Sequence, residues 1–268
     1  MKRLFQVIGL IGLLAFSFFL TDKTAIVVKN MDEVMQKIKK NKNLYETKGE
    51  DAIIINDGII PGISKKIVNV NKSYNNMKEY GKYNDKLYVY DYVLPHISVK
   101  ENLDKYIIMG NSSKKMVSFN FLIEDDFSIL LRILKINNIK ANFFVNDFWL
   151  QNNLDITYNL INEGYIFGIN NSKDNNYEWM NTIITKVGKQ KQIFCYQNVK
   201  KCKSINGYTI KGSFIDNNYY SNLKKELKSG AIITFKADKQ LINNLDYMIK
   251  YVLKKGYTIS NLFEHIKE

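Results

Sequence analysis

The stretch "MVSFNFLIEDDFSILLRILKINNIKANFFV", Met116–Val145, decides the fold. Its first run is apolar and β-prone, "FSILLRILKI" repeats apolar residues at helical spacing, and a second apolar run closes at Val145. Strand, turn, helix, strand is the unit of parallel α/β sheets, whose chemistry collects where the strands end. Here that point reads Asn120, Phe121 and Leu122, an apolar place for polar chemistry.

Downstream the alternation continues. Strands are expected near 116–121, 141–146, 165–169, 192–196, 208–215, 231–235 and 257–260. Between them lie the helical patterns "LDITYNLINEG", "YEWMNTIITKVG", "SNLKKELKSG" and "LINNLDYMIKYVLKKG", closed by Gly164, Gly188, Gly230 and Gly256. Upstream, from Thr24 to Gly110, the patterns are short and mixed. "TAIVV" and "DAIIIND" read as strands, "MDEVMQKIKKNKNLYE" and "NKSYNNMKEYG" as helices, "GIIPGIS" as a turn, and "KLYVYDYVLP" as another strand. The expected organisation is residues 1–23 as a signal segment, 24–110 as a small α+β region, and 111–268 as the α/β domain.

The chain has 268 residues, 46% of them hydrophobic and 13% aromatic, enough for one large core or two modest ones. Lys2 and Arg3 precede an uncharged, mostly apolar run from Leu4 to Leu20, which is read here as an uncleaved membrane anchor. Ala15 and Ser17 offer the alternative of a cleaved signal peptide and a secreted product. The positive-inside bias puts the rest of the chain on the extracellular face of a bacterial cell membrane, out of reach of nucleic acid. The net charge of +13 then points to a cell-wall glycan or another anionic envelope polymer as partner.

Cys195 and Cys202 are the only cysteines, and their spacing suits a local disulfide or two separate thiols equally. With His96 and His265 as the only histidines, no His-rich zinc site can be assembled. Each histidine is most simply structural or exposed.

From Met116 to about Ile266 the chain resembles the polysaccharide deacetylase family, the NodB homology domain. "MVSFNF" is similar to that family's first strand, which ends in Thr-Phe-Asp-Asp-Gly, and "LLRILKINNIKANFFVNDFWL" to its next helix and strand. "LINEGYIFGINN", "SGAIITFK" and "YVLKKGYTISNLFEHI" follow its later motifs in order. The resemblance implies a distorted, mostly parallel (β/α) barrel of the NodB type, preceded by the α+β region and the N-terminal hydrophobic segment.

It also implies where a divalent metal and a catalytic base belong. The base position falls on Asn120, the metal-binding Asp on Phe121 and the first metal-binding His on Asn170, while the second His would lie within Ser172–Asn175 and the late His at about Lys236. Asn is no general base and Phe has no lone pair for a metal, so these positions are degenerate. The expectation is therefore a catalytically inactive, metal-free and cofactor-free deacetylase-like domain. Its glycan contacts would come from Asn120, Asp147, Asn170, Tyr196 and Lys236 at one end of the barrel. The alternative is an active carbohydrate deacetylase whose site is rebuilt from Asp147, Asp216, Glu124 or Asp125. "IEDD" also fits helix capping, and Trp149 and Trp179 fit core packing as well as sugar stacking.

Overall fold

The computed structural model of the chain describes residues 16, 17, 21, 23, 24 and 26–268. The apolar segment 4–20 lies, apart from residues 16 and 17, outside the described residues. Among those described, no helix is long and apolar enough to cross a membrane. The strands are β1 (Ile53–Ile55), β2 (Gly58–Ile60), β3 (Lys65–Val68), β4 (Tyr90–Val93), β5 (Tyr106–Ile107) and β6 (Met116–Leu122). They continue with β7 (Asn142–Val145), β8 (Ile166–Ile169), β9 (Phe194–Tyr196), β10 (Tyr208–Ile210), β11 (Ser213–Ile215), β12 (Ile232–Lys236) and β13 (Thr258–Ile259).

Two compact units share these elements. The smaller takes residues up to Lys48 and Lys65–Val93. In it β3 and β4 pair antiparallel, and helices Glu33–Asn41 and Val70–Tyr80 bury Ile38, Val68, Met77 and Tyr88 together. Asp32 and Asn69 cap the two helices by accepting the Val34 and Lys72 N–H groups.

The larger unit takes Gly49–Ser64 and Leu94–Glu268. Its sheet runs in the order β1-β2-β5-β10-β9-β8-β7-β6-β12-β11, with β13 on β6, and every pair except β1–β2 is parallel. It curls into a half-barrel whose edges are β1 and β11, the distorted parallel α/β arrangement that the strand–helix alternation predicts. Parallel strands are covered on both faces and so read as continuous apolar runs, as "NFFV" does in β7.

Alternation along β6 separates two cores. Val117, Phe119 and Phe121 face the helices, where Phe121 stacks on Phe235 at 5.6 Å between ring centres. The long helix Lys239–Lys254 closes this layer with Leu241, Leu245, Met248, Ile249 and Val252, a stripe at helical spacing. Asp238 caps it, and Gly256, at φ +78°, ends it in the left-handed region that favours glycine. Each fully buried Phe or Leu here contributes on the order of 2 kcal/mol. The concave face carries Leu122, Phe144, Phe194, Tyr196, Ile232 and Leu262.

Three local readings change. The "TAIVV" segment is helical at residue 24 and at 26–28 rather than a strand. Ile26, Val27 and Val28 are exposed, and a helix satisfies their backbone without the neighbour that a strand needs. "GIIPGIS" contains β2, paired with β1 through a tight turn in which Asn56 takes φ 55°. The single strand expected at 208–215 is two, β10 beside β9 and β11 beside β12. The chain breaks at Gly212, where any Cβ would lie 2.0 Å from the Ile232 carbonyl oxygen.

Candidate functional site

Register across the sheet fixes what stands at the strand ends. Lys236, Leu122, Phe144, Gly168 and Phe194 share one rung. Two residues further on come Asn146 and Asn170, beyond the paired register, and Tyr196, which still pairs with Ile210. Gly168 leaves room for its neighbours, since a Cβ there would meet the Phe144 ring at 2.6 Å. The rings of Phe144 and Tyr196, 5.9 Å apart, fill the concave mouth instead.

Asn120 sits deeper. It pairs with Thr234 and Asn142 and is fully buried. Its Nδ2 donates to Thr234 Oγ1 at 3.2 Å and its Oδ1 accepts from Asn142 Nδ2 at 2.9 Å. Asn142 in turn donates to the Phe119 carbonyl and accepts the Leu262 N–H at 2.7 Å. The amides thus tie β6, β7 and β12 to the last helix. Four rungs, about 13 Å along the strand direction, separate Asn120 from Asn170. The expectation that Asn120 contacts a ligand is revised, because it is fully buried and its Nδ2 and Oδ1 each bond within the sheet.

Phe121 points to the opposite face, since successive strand residues alternate, and it packs among Phe119, Phe143 and Phe235. The two motif positions therefore cannot serve one site. Their neighbour on the concave side is Ser118, whose Oγ lies 2.5 Å from Nδ1 of buried His265. Burial, with the Lys114 charge adding to it, pulls the His265 imidazole down to about 4.

The rim does gather other expected residues. Asn170 Oδ1 accepts from the Ser172 N–H and from Asn175 Nδ2 at 2.9 Å. Asn175 Oδ1 accepts the Asp147 N–H at 3.1 Å, and Asp147 Oδ2 accepts the Asn176 N–H at 3.2 Å. The Tyr177 hydroxyl donates to the Asn170 carbonyl at 3.2 Å. Asp147 and Asn170 are thus brought together through Asn175, and Tyr177 braces the Asn170 carbonyl; the sequence reaches Asn175 only as the bound of the second-His stretch and does not reach Tyr177. Their only sequence signal is the Asn-rich "KDNNY" run after β8. Beside them, Lys201 lies 5.3 Å over the Tyr177 ring and donates to the Lys173 carbonyl.

Tyr196 is buried, and burial pushes its phenol up to about 12. Its hydroxyl accepts from Gln197 Nε2 at 2.9 Å, and Gln197 itself is exposed, with φ 56°. A disulfide joins Cys195 and Cys202, both buried, with Cα atoms 5.9 Å apart. It settles the open alternative and pins the turn that presents Gln197. Lys236 is exposed at the end of β12, and the Tyr219 hydroxyl lies 3.1 Å from its carbonyl oxygen.

The remaining candidates serve the scaffold. The N-cap of helix Ser128–Ile136 is Phe127, which makes no side-chain cap bond; Asp126, one residue earlier, accepts from the Ser128 N–H, so "IEDD" supports the helix start without supplying its N-cap. Trp149 is buried against Phe127 and Phe167 and donates to the Asp125 carbonyl, while Trp179 packs on the same core. His96 is exposed. Among the described residues no group of three or more His, Cys, Asp or Glu side chains is placed to hold a metal ion. A phenyl ring in the outer core, a buried amide in the sheet and a rim amide do not fit a divalent cation, which needs about three charged or imidazole donors around an open water position.

No family model matches the chain. It is 29% identical over 151 residues to the uncharacterized protein YlxY of Bacillus subtilis, covering 54% of this chain and 47% of that one, so the chain spans about half the length of this curated relative. Wild-type BA3943, a CE4 family pseudoenzyme from Bacillus anthracis, superposes with a TM-score of 0.61 at 23% identity over 89% of this chain and 96% of its own. A mutant of BA3943 with restored enzymatic activity gives the same TM-score, 0.61, over 88% and 99%. PdaA of Bacillus subtilis, a family 4 carbohydrate esterase, gives 0.51 at 18% identity over 63% and 87%. The fold is that of the family 4 polysaccharide deacetylases, the NodB type, and the chain carries it with Asn, Phe and Asn at the motif positions.

Proposed function

We propose that this is a cell-envelope, deacetylase-like protein that holds an N-acetylated glycan at its strand-end rim without hydrolysing it. One observation carries the reading: the rim gathers Asp147, Asn170, Gln197 and Lys236, whereas the base position Asn120 and the metal-binding Asp position Phe121 are sealed inside the two cores. Amide, carboxylate and ammonium groups pair with sugar hydroxyls, acetamide and acidic substituents without a metal. Phe148, 74% exposed beside Asp147, supplies an apolar surface for a sugar ring. Tyr196 forms the floor. The apolar segment 4–20 anchors the chain at the outer face of the cell membrane, where peptidoglycan is the abundant N-acetylated polymer.

The test is co-sedimentation of the full chain with purified peptidoglycan, alongside an acetate-release assay on N-acetylglucosamine oligomers with and without added zinc or cobalt. Binding without acetate release is expected, and Asn170→Ala with Lys236→Ala is expected to lower binding at least tenfold. Turnover that a chelator abolishes and metal restores would replace this reading with an active deacetylase built from Asp147, Asp216, Glu124 or Asp125.

A further inference from the structure

The smaller unit contains a cavity of about 760 Å³ that the glycan reading leaves unused. Its floor is apolar, with Met35 fully buried, Val70 half-buried and Ile26 exposed at its edge. Its charged lining is cationic, Lys29, Lys39 and Lys42 beside the neutral amides Asn30 and Asn71, and no carboxylate borders it. The nearby acids on the same helix are already engaged, Asp32 with Lys78 and Glu33 with Lys37, each at 2.6 Å.

The three lysines are held in place. Lys39 donates to Asn30 Oδ1 at 2.7 Å, and Lys29 lies 4.9 Å over the Tyr74 ring. Lys42, half-buried, makes no ion pair among the described residues. Three like charges border one apolar floor, Lys29 and Lys42 half-buried and Lys39 exposed, so an anion with an apolar tail complements both the charge and the floor. A bare anion would satisfy the rim and leave the floor unused.

We infer that this cavity binds the headgroup and first acyl carbons of an anionic phospholipid. The inference rests on the anchor reading of residues 4–20 for its biological setting. Leu20 precedes Ile26 by six residues, so the cavity edge is within about 21 Å of the end of the apolar segment even along a fully extended chain. The headgroup layer reaches about 5–8 Å beyond the hydrocarbon core, so the cavity edge meets it where the residues between are not fully extended.

The full chain, purified in neutral detergent, is titrated with short-chain phosphatidylglycerol, with short-chain phosphatidylcholine and with inorganic phosphate, and lysine acetylation is mapped by mass spectrometry. Phosphatidylglycerol is expected to slow acetylation of Lys29, Lys39 and Lys42 at least fivefold while leaving Lys225 and Lys250 of the larger unit unchanged. The combined K29Q, K39Q, K42Q variant is expected to lose retention on phosphatidylglycerol vesicles relative to phosphatidylcholine vesicles. Equal protection by phosphatidylcholine, protection spread over all lysines, or protection by inorganic phosphate at the same concentration would each overturn the assignment. Because the titration is done in detergent, its failure is distinguishable from failure of the anchor reading, which is tested by protease digestion of intact, wall-stripped cells.

Discussion

The two faces of β6 carry the same backbone and opposite chemistry. On the outer face Val117, Phe119 and Phe121 meet only carbon, while on the concave face Ser118 and Asn120 are equally buried but hydrogen-bonded. The contrast shows that burial alone does not close a site. Carbon seals one half of the motif and filled amide bonds seal the other, so two adjacent residues that would act together at a metal are separated by the thickness of the sheet.

The largest effect expected from breaking this contrast is on the outer face. Phe121→Ala should cost about 3–5 kcal/mol in a denaturant titration, because it opens a cavity among Phe119, Phe143 and Phe235. A loss below about 1 kcal/mol would mean that Phe121 is not in that core.

Next comes the concave face at low pH. The His265 imidazole is held at about 4 in the folded chain against 6.5 for the free side chain. The unfolded state therefore takes up the proton first as pH falls. Stability from this group is complete above about pH 6.5 and is lost progressively down to about pH 4, by roughly 3 kcal/mol. The neutral variant His265→Gln should flatten that slope. An unchanged slope in the variant would assign the acid sensitivity to other groups.

Asn120→Leu should cost about 1–3 kcal/mol, since it leaves Thr234 Oγ1 and one bond of Asn142 unpaired. Asn120→Asp, the family residue, should destabilise more as pH rises, because it puts a carboxylate where no water reaches. Reversal of that trend would place Asn120 at an open site. The smallest stability effect is expected at the rim. Asn170→Ala should change stability by about 1 kcal/mol or less, because Asn170 is only half-buried, yet it should weaken peptidoglycan co-sedimentation.

Much of this was legible from residue order. The parallel sheet follows from apolar runs separated by helical stripes, and β6, β7, β8, β9 and β12 lie within two residues of their expected bounds. Asp147, Asn170 and Lys236 were placed at strand ends, where they stand. Asn120 was placed one layer too high, because a motif aligned by letters gives no rung. Asn175 and Tyr177 carry an importance that is a matter of geometry: Asn175 links two loops separated by more than twenty residues, and Tyr177 holds the Asn170 carbonyl within its own loop.

The sequence by itself determined the strand–helix alternation, the loss of metal donors and the presence of two cysteines, since each depends only on residue type and local period. Tertiary structure alone decided that "YTIKGSFI" divides between distant positions in the sheet, that Cys195 pairs with Cys202, and that Asn120 and Phe121 face opposite cores. These depend on which backbone approaches which, as when the Ile232 carbonyl leaves room only for glycine at position 212. A linear pattern records what each residue can do, and packing decides what it is close enough to do it with.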